Sequence, residues 1–181
     1  VTGWLNLPNL LTLLRLLLAA PVVYAIATGQ AAVALVLFIA AGFTDLLDGA
    51  AARRFGTVTA WGAYFDPIAD KVLLSSVFIA MTWAGILPAW YLWLVLGRDV
   101  MIVAGVVTIM AFTKERKFPP SRLGKFSTFF QLGCAVMWMV RNAWPVAALH
   151  VLADVSLWLS TAFTAASGLD YIRRGARIGR H

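Results

Sequence analysis

Four aspartates carry the chemistry of this sequence. Asp45 and Asp48 are three residues apart, and Asp66 and Asp70 are four apart. On a helix both spacings place the pair on one face. All four lie in or beside strongly apolar stretches, where a charged side chain costs at least a few kcal/mol and so has a function and a partner. Four carboxylates brought together repel, and each is driven towards protonation. Two divalent cations would cancel the four charges, and hard oxygen ligands suit Mg²⁺ or Mn²⁺. Small residues surround the cluster: Gly49, Ala50, Ala51 and Ala52 on one side, Gly62 and Ala63 on the other. They allow close helix approach and leave room for a ligand. A diphosphate fits such a site, because Mg²⁺ keeps coordination positions open for phosphate oxygens. The competing account has the aspartates pairing with Arg53, Arg54 and Lys71 or capping helices. It serves for any one of them, but not for all four, since ion pairing compensates poorly in a dry site.

The elements that must position these residues follow from composition. The chain has 181 residues, 61% of them hydrophobic, with a mean hydropathy of +0.83. A membrane-spanning helix needs about 20 apolar residues. The length accommodates six spans as one domain over residues 1–181, an all-α integral membrane fold. The expected spans are residues 10–28, 31–47 (continuing as helix to 54), 63–83, 89–112, 126–140 and 146–171. Thr2–Asn9, with Trp4, Leu5 and Leu7, reads as a short N-terminal interfacial helix. No basic region followed by a cleavage site opens the chain, so no signal peptide is expected. The single Cys134 excludes an intrachain disulfide or a cysteine zinc site.

The net charge of +7 comes from 15 Lys and Arg against 8 Asp and Glu. These basic residues cluster at expected helix ends, which favours anionic lipid or phosphate over nucleic acid. With six spans, one side receives Arg53, Arg54, the 114–125 basic cluster and the basic tail, while the other receives only Arg141. The positive-inside rule then puts both termini and the aspartates on the cytoplasmic side of a multi-pass protein, in a bacterium the inner membrane.

The run Asp45-Leu-Leu-Asp48-Gly49-Ala-Ala-Ala52-Arg53, then eight residues, Gly62, three residues, Asp66, three residues and Asp70 resembles the signature of the CDP-alcohol phosphotransferase family. The six-span layout resembles that family along the whole chain. The resemblance implies a homodimeric enzyme that moves a phosphatidyl group from CDP-diacylglycerol to an alcohol and releases CMP. It implies that Asp45, Asp48, Asp66 and Asp70 hold two metal ions, with Asp70 also the general base towards the acceptor hydroxyl. Gly49, Ala52, Arg53 and Gly62, with Asp45, would lie against the cytidine diphosphate. Pro8-Asn9, Thr12 and Arg15 resemble the family's first-helix motif, and Asn9, Thr12 and Arg15 are expected to help bind the nucleotide.

The acceptor side is carried by Arg98, alone with Asp99 in an apolar run, and by Arg122 and Lys125, followed by Ser127 and Gln131. Arginine binds phosphate oxygens bidentately, so these residues are expected to hold a phosphate on the acceptor. Within the family that means phosphatidylglycerol or glycerol-3-phosphate. Phosphatidylglycerophosphate synthases continue Arg-Glu-Phe and carry a second arginine eight residues on, whereas this chain has Arg98-Asp99-Val100 and Val106. Gly97-Arg98-Asp99-Val100, Ser121-Arg122-Leu123-Gly124-Lys125 and the Thr161–Ser167 stretch look more like eukaryotic-type cardiolipin synthases. The other class in play is a divalent-cation transporter. Such sites lie near the membrane midplane between broken helices, whereas these aspartates are expected near one face.

Overall fold

A computed structural model describes residues 7–55, 60–112 and 121–178, and the side chains of 17–44, 71–105, 108 and 121–175. Among the described residues the fold is all-helical: α1 (Leu7–Ala27), α2 (Ala31–Phe55), α3 (Ala60–Trp83), α4 (Ala89–Phe112), α5 (Arg122–Ala143) and α6 (Ala147–Ile178). Two of these contain segments long and apolar enough to cross a membrane, Arg122–Ala143 and Ala147–Gly175. Shorter apolar stretches are Leu17–Ala27, Ala31–Thr44 and Lys71–Trp83.

The helices fall into two units, α1–α3 and α4–α6. In the first, α1 packs against both α2 and α3. Among the described residues its core is apolar: Val22 and Ile26 from α1, Leu35 and Phe38 from α2, and Val77, Phe78 and Met81 from α3 are all buried. α1 and α3 end in the same way. Gly29 (φ +73°) and Gly85 (φ +70°) adopt the left-handed conformation that glycine takes without a Cβ penalty. Gly29 N–H donates to Ile26 O and Gln30 N–H to Ala25 O. Gly85 N–H donates to Thr82 O and Ile86 N–H to Met81 O. This paired closure satisfies the last carbonyls of each helix, and Pro88 prevents α3 from resuming.

The second unit buries polar side chains beside an apolar core that includes Val95, Cys134 and Leu157. Arg98, Ser121, Ser127, Gln131, Ser160, Thr164 and Ser167 are buried, while Trp93, Phe129, Val151 and Trp158 are exposed. An apolar exterior around a hydrogen-bonded polar interior suits lipid rather than water. The interior bonds run from one face of α6. Ser160 hydrogen-bonds Tyr91 of α4. Thr164 shares a bond of 3.2 Å with Ser127 and receives Gln131 Nε2 at 3.0 Å, both from α5. Ser167 receives Arg98 of α4 at 2.7 Å.

Several boundaries differ from the sequence expectation. α1 begins at Leu7 and takes in Pro8 and Asn9, which were assigned to the interfacial segment; Pro is tolerated in a first helical turn because its missing N–H is not needed there. Residues 1–6 lie outside the described residues. α5 starts at Arg122 rather than 126, because Ser121 Oγ accepts the Gly124 N–H at 2.9 Å and caps the helix. It continues to Ala143, so Arg141 lies within the helix, its guanidinium 4.5 Å from the Trp138 ring. α6 runs on past Tyr171, supported by the Arg174–Asp170 ion pair at 2.9 Å across one turn.

Candidate functional site

The structure places the two aspartate pairs on consecutive helices of one unit, each of which packs on α1. Asp45 and Asp48 are on α2, and Asp66 and Asp70 on α3. Both helices are continuous through the pairs, so each pair shares a helix face. Gly49, Ala52 and Arg53 are also on α2 and Gly62 on α3, while Asn9, Thr12 and Arg15 are on α1, which packs on both. The side chains of all these residues lie outside the described ones. As a donor set, four carboxylates are hard, anionic and acceptor-only, and they fit divalent magnesium or manganese.

The acceptor-side residues lie in the second unit. Arg98, in the middle of α4, is 8% exposed. Its Nη1 donates to Asp99 Oδ1 at 2.6 Å and its Nη2 to Ser167 Oγ at 2.7 Å. Its Nε is buried without a hydrogen-bond partner among the described residues. The guanidinium carbon lies 5.9 Å from the centroid of the Tyr171 ring, a cation–π approach. A buried guanidinium N–H without a partner is costly, by about 1–3 kcal/mol or more, so it marks a position where an acceptor atom is expected.

The first turn of α5 closes on this arginine. A Cβ added at Gly124 would lie 3.3 Å from Arg98 Nη2. Arg122 and Lys125 flank Gly124 and are exposed. Being two residues before and one after, they project from other faces of the helix than the one Gly124 turns to Arg98. The three cations expected to act together are thus divided into one buried arginine and two exposed cations at the start of α5. The positive end of the α5 dipole adds to them.

Four residues around Arg98 were not among the expected site residues: Ser121, Gly124, Ser167 and Tyr171. A signal for them exists in α6, where Ser160, Thr164, Ser167 and Tyr171 follow at intervals of four, three and four. That is a polar stripe on one face of the helix. The close approach at Gly124 yields a prediction. Gly124→Ala puts a methyl 3.2 Å from Ser121 Oγ and 3.4 Å from the Tyr171 hydroxyl as well as against Arg98. We expect about 1–2 kcal/mol of destabilisation in thermal unfolding, together with weaker acceptor use in steady-state kinetics.

The model for the family described as CDP-alcohol phosphatidyltransferase matches residues 5–166. A Mycobacterium tuberculosis protein named "Probable phosphatidylglycerophosphate synthase" is 35% identical over 95% of this chain and 82% of its own length. The Rattus norvegicus "Cardiolipin synthase (CMP-forming)" is also 35% identical over 95% of this chain, which spans 62% of the rat protein. The Rickettsia felis "CDP-diacylglycerol--glycerol-3-phosphate 3-phosphatidyltransferase" is 30% identical over 93% of this chain and 94% of its own length. These matches set aside the transporter reading, account for the apolar exterior as that of a membrane protein, and take in both aspartate pairs and Arg98. The chain therefore belongs to the CDP-alcohol phosphatidyltransferase family.

Proposed function

We propose that the protein transfers the phosphatidyl group of CDP-diacylglycerol to the hydroxyl of phosphatidylglycerol, giving cardiolipin and CMP. The observation that carries the choice of acceptor is the pairing of buried Arg98 with Asp99 at 2.6 Å, beside an Nε that has no hydrogen-bond partner among the described residues. Asp99 offsets most of the arginine's charge. The remaining donor capacity suits a singly charged phosphodiester better than a doubly charged phosphomonoester. The rat relative named cardiolipin synthase supports the same choice. A second reading keeps the chemistry and takes glycerol-3-phosphate as acceptor. It is favoured by the names of the Mycobacterium and Rickettsia relatives and by exposed Arg122 and Lys125, two further cations at the start of α5.

The reaction forms one bond and breaks one. The acceptor hydroxyl oxygen attacks the phosphorus that carries the diacylglycerol. The bond from that phosphorus to the oxygen of CMP breaks, and CMP departs with the electron pair. The hydroxyl proton passes to a carboxylate, which we assign to Asp70. Asp45, Asp48, Asp66 and Asp70 would hold two Mg²⁺ or Mn²⁺ ions, which supply charge neutralisation to the diphosphate. Asn9, Thr12 and Arg15 with Gly49, Ala52, Arg53 and Gly62 would seat the cytidine diphosphate. Arg98 orients the acceptor, and orientation removes much of the entropic barrier. We assign the protein six spans, both termini and the active site on the cytoplasmic side of a bacterial inner membrane, and a homodimeric state.

The test is an acceptor panel with labelled CDP-diacylglycerol and purified protein in lipid. Phosphatidylglycerol, glycerol-3-phosphate, inositol phosphate and serine are compared in Mg²⁺ or Mn²⁺ and after chelation. The expected result is labelled cardiolipin and CMP with phosphatidylglycerol, both lost on chelation and restored by the metal. A product only with glycerol-3-phosphate would overturn the acceptor. No CMP with any alcohol would overturn the enzyme reading.

A further inference from the structure

Tyr171 lies beyond residues 5–166 matched by the family model, yet it meets the acceptor-side arginine. Its hydroxyl oxygen accepts the Ser121 backbone N–H at 3.2 Å. A phenol that accepts one bond keeps its own proton for another partner. The point where a Gly124 Cβ would stand is 3.2 Å from Ser121 Oγ, 3.3 Å from Arg98 Nη2 and 3.4 Å from the Tyr171 hydroxyl. Polar atoms from α4, the cap of α5 and α6 therefore close on one turn of α5 at Gly124, which brings the Tyr171 hydroxyl near the Arg98 guanidinium. Arg98, itself 8% exposed, also carries an Nε with no hydrogen-bond partner among the described residues. A guanidinium and a hydroxyl donor near one another suit an anionic oxygen.

We propose that Tyr171 is a ligand of the acceptor's phosphate and sets its charge preference. This rests on the reading of the Arg98 site as the acceptor site. The phenol proton donates to a phosphate oxygen held by Arg98. It contributes a hydrogen bond without contributing a charge. Arg98 and Asp99 together carry no net charge, and the phenol adds none. A phosphodiester held there by hydrogen bonds leaves one negative charge uncompensated, whereas a phosphomonoester leaves up to two, which a buried site penalises more.

The experiment compares wild type, Tyr171→Phe and Tyr171→Arg as full chains in lipid vesicles, with CDP-diacylglycerol and either phosphatidylglycerol or glycerol-3-phosphate. Tyr171→Phe keeps the ring over Arg98 and removes only the hydroxyl. Its KM for phosphatidylglycerol should rise about tenfold, with the KM for CDP-diacylglycerol and the thermal midpoint little changed. Tyr171→Arg should move the ratio of kcat/KM for the two acceptors about tenfold or more towards glycerol-3-phosphate. If Tyr171 only secured the start of α5 through Ser121, kcat/KM for both substrates and the thermal midpoint would fall together. The acceptor ratio would then stay fixed, and the proposal would be wrong. A wild-type protein that uses only glycerol-3-phosphate would overturn the phosphodiester preference. In that event the Tyr171→Phe KM for glycerol-3-phosphate decides separately whether the hydroxyl touches the phosphate.

Discussion

Asp48→Asn is expected to reduce CMP release by roughly a thousandfold or more, while the protein still inserts and folds. Asparagine has the shape of aspartate and lacks its charge. Two divalent ions need four negative charges for balance, and the substitution leaves three. The carboxylate that shares a helix face with it, Asp45, cannot make up the difference alone. The consequence for folding runs the other way. Without metal, the four carboxylates repel one another, so removing one relieves the repulsion. The metal-free variant should therefore be no less stable than metal-free wild type, and added Mg²⁺ or Mn²⁺ should raise its thermal midpoint less. Turnover, detergent-extracted yield and the metal-dependent shift in midpoint check the three parts. Near-normal turnover would falsify the metal model of this site.

Arg98→Ala is the second large effect. It removes the Nη1 partner of Asp99, the Nη2 donor to Ser167 and the Nε donor that has no partner among the described residues. Truncating one member of a buried hydrogen-bonded charge pair in a binding site costs about 2–4 kcal/mol, which corresponds to roughly 30- to 1,000-fold in affinity. That loss should fall on the acceptor KM and leave the KM for CDP-diacylglycerol near its wild-type value, since the residues we propose for the nucleotide are on α1–α3. Arg98→Lys should recover only part of it, because an ammonium cannot present the planar fork that meets Asp99 and Ser167 together. An acceptor KM unchanged in Arg98→Ala would remove this residue from the acceptor site.

The helices were legible because apolar runs of helical length are interrupted by Gly29, Gly85, Pro88 and the basic 113–120 stretch. Their ends were less legible. Hydropathy places the start of α5 after the charge of Lys125, whereas the chain becomes helical where Ser121 caps the Gly124 N–H. Capping is a local hydrogen bond that a hydropathy window does not register. Arg141 looked like a turn residue because charge interrupts the apolar run there, but in the helix its guanidinium rests near Trp138 one turn back.

Residue type and spacing alone determined the membrane character, the helical class and the aspartate signature. Each depends on neighbours within a few helical turns, where local geometry is set by the backbone repeat. The same is true of Arg98 as a charge that needs a partner in an apolar run. Only the tertiary structure decided which partners it has. Ser167 and Tyr171 are about seventy residues away in sequence, and Gly124 becomes relevant only because α5 begins close to the guanidinium. Helix packing selects one face of α6 and one turn of α5 from many of similar composition. That selection buries Arg98 and leaves Arg122 and Lys125 exposed at the start of α5.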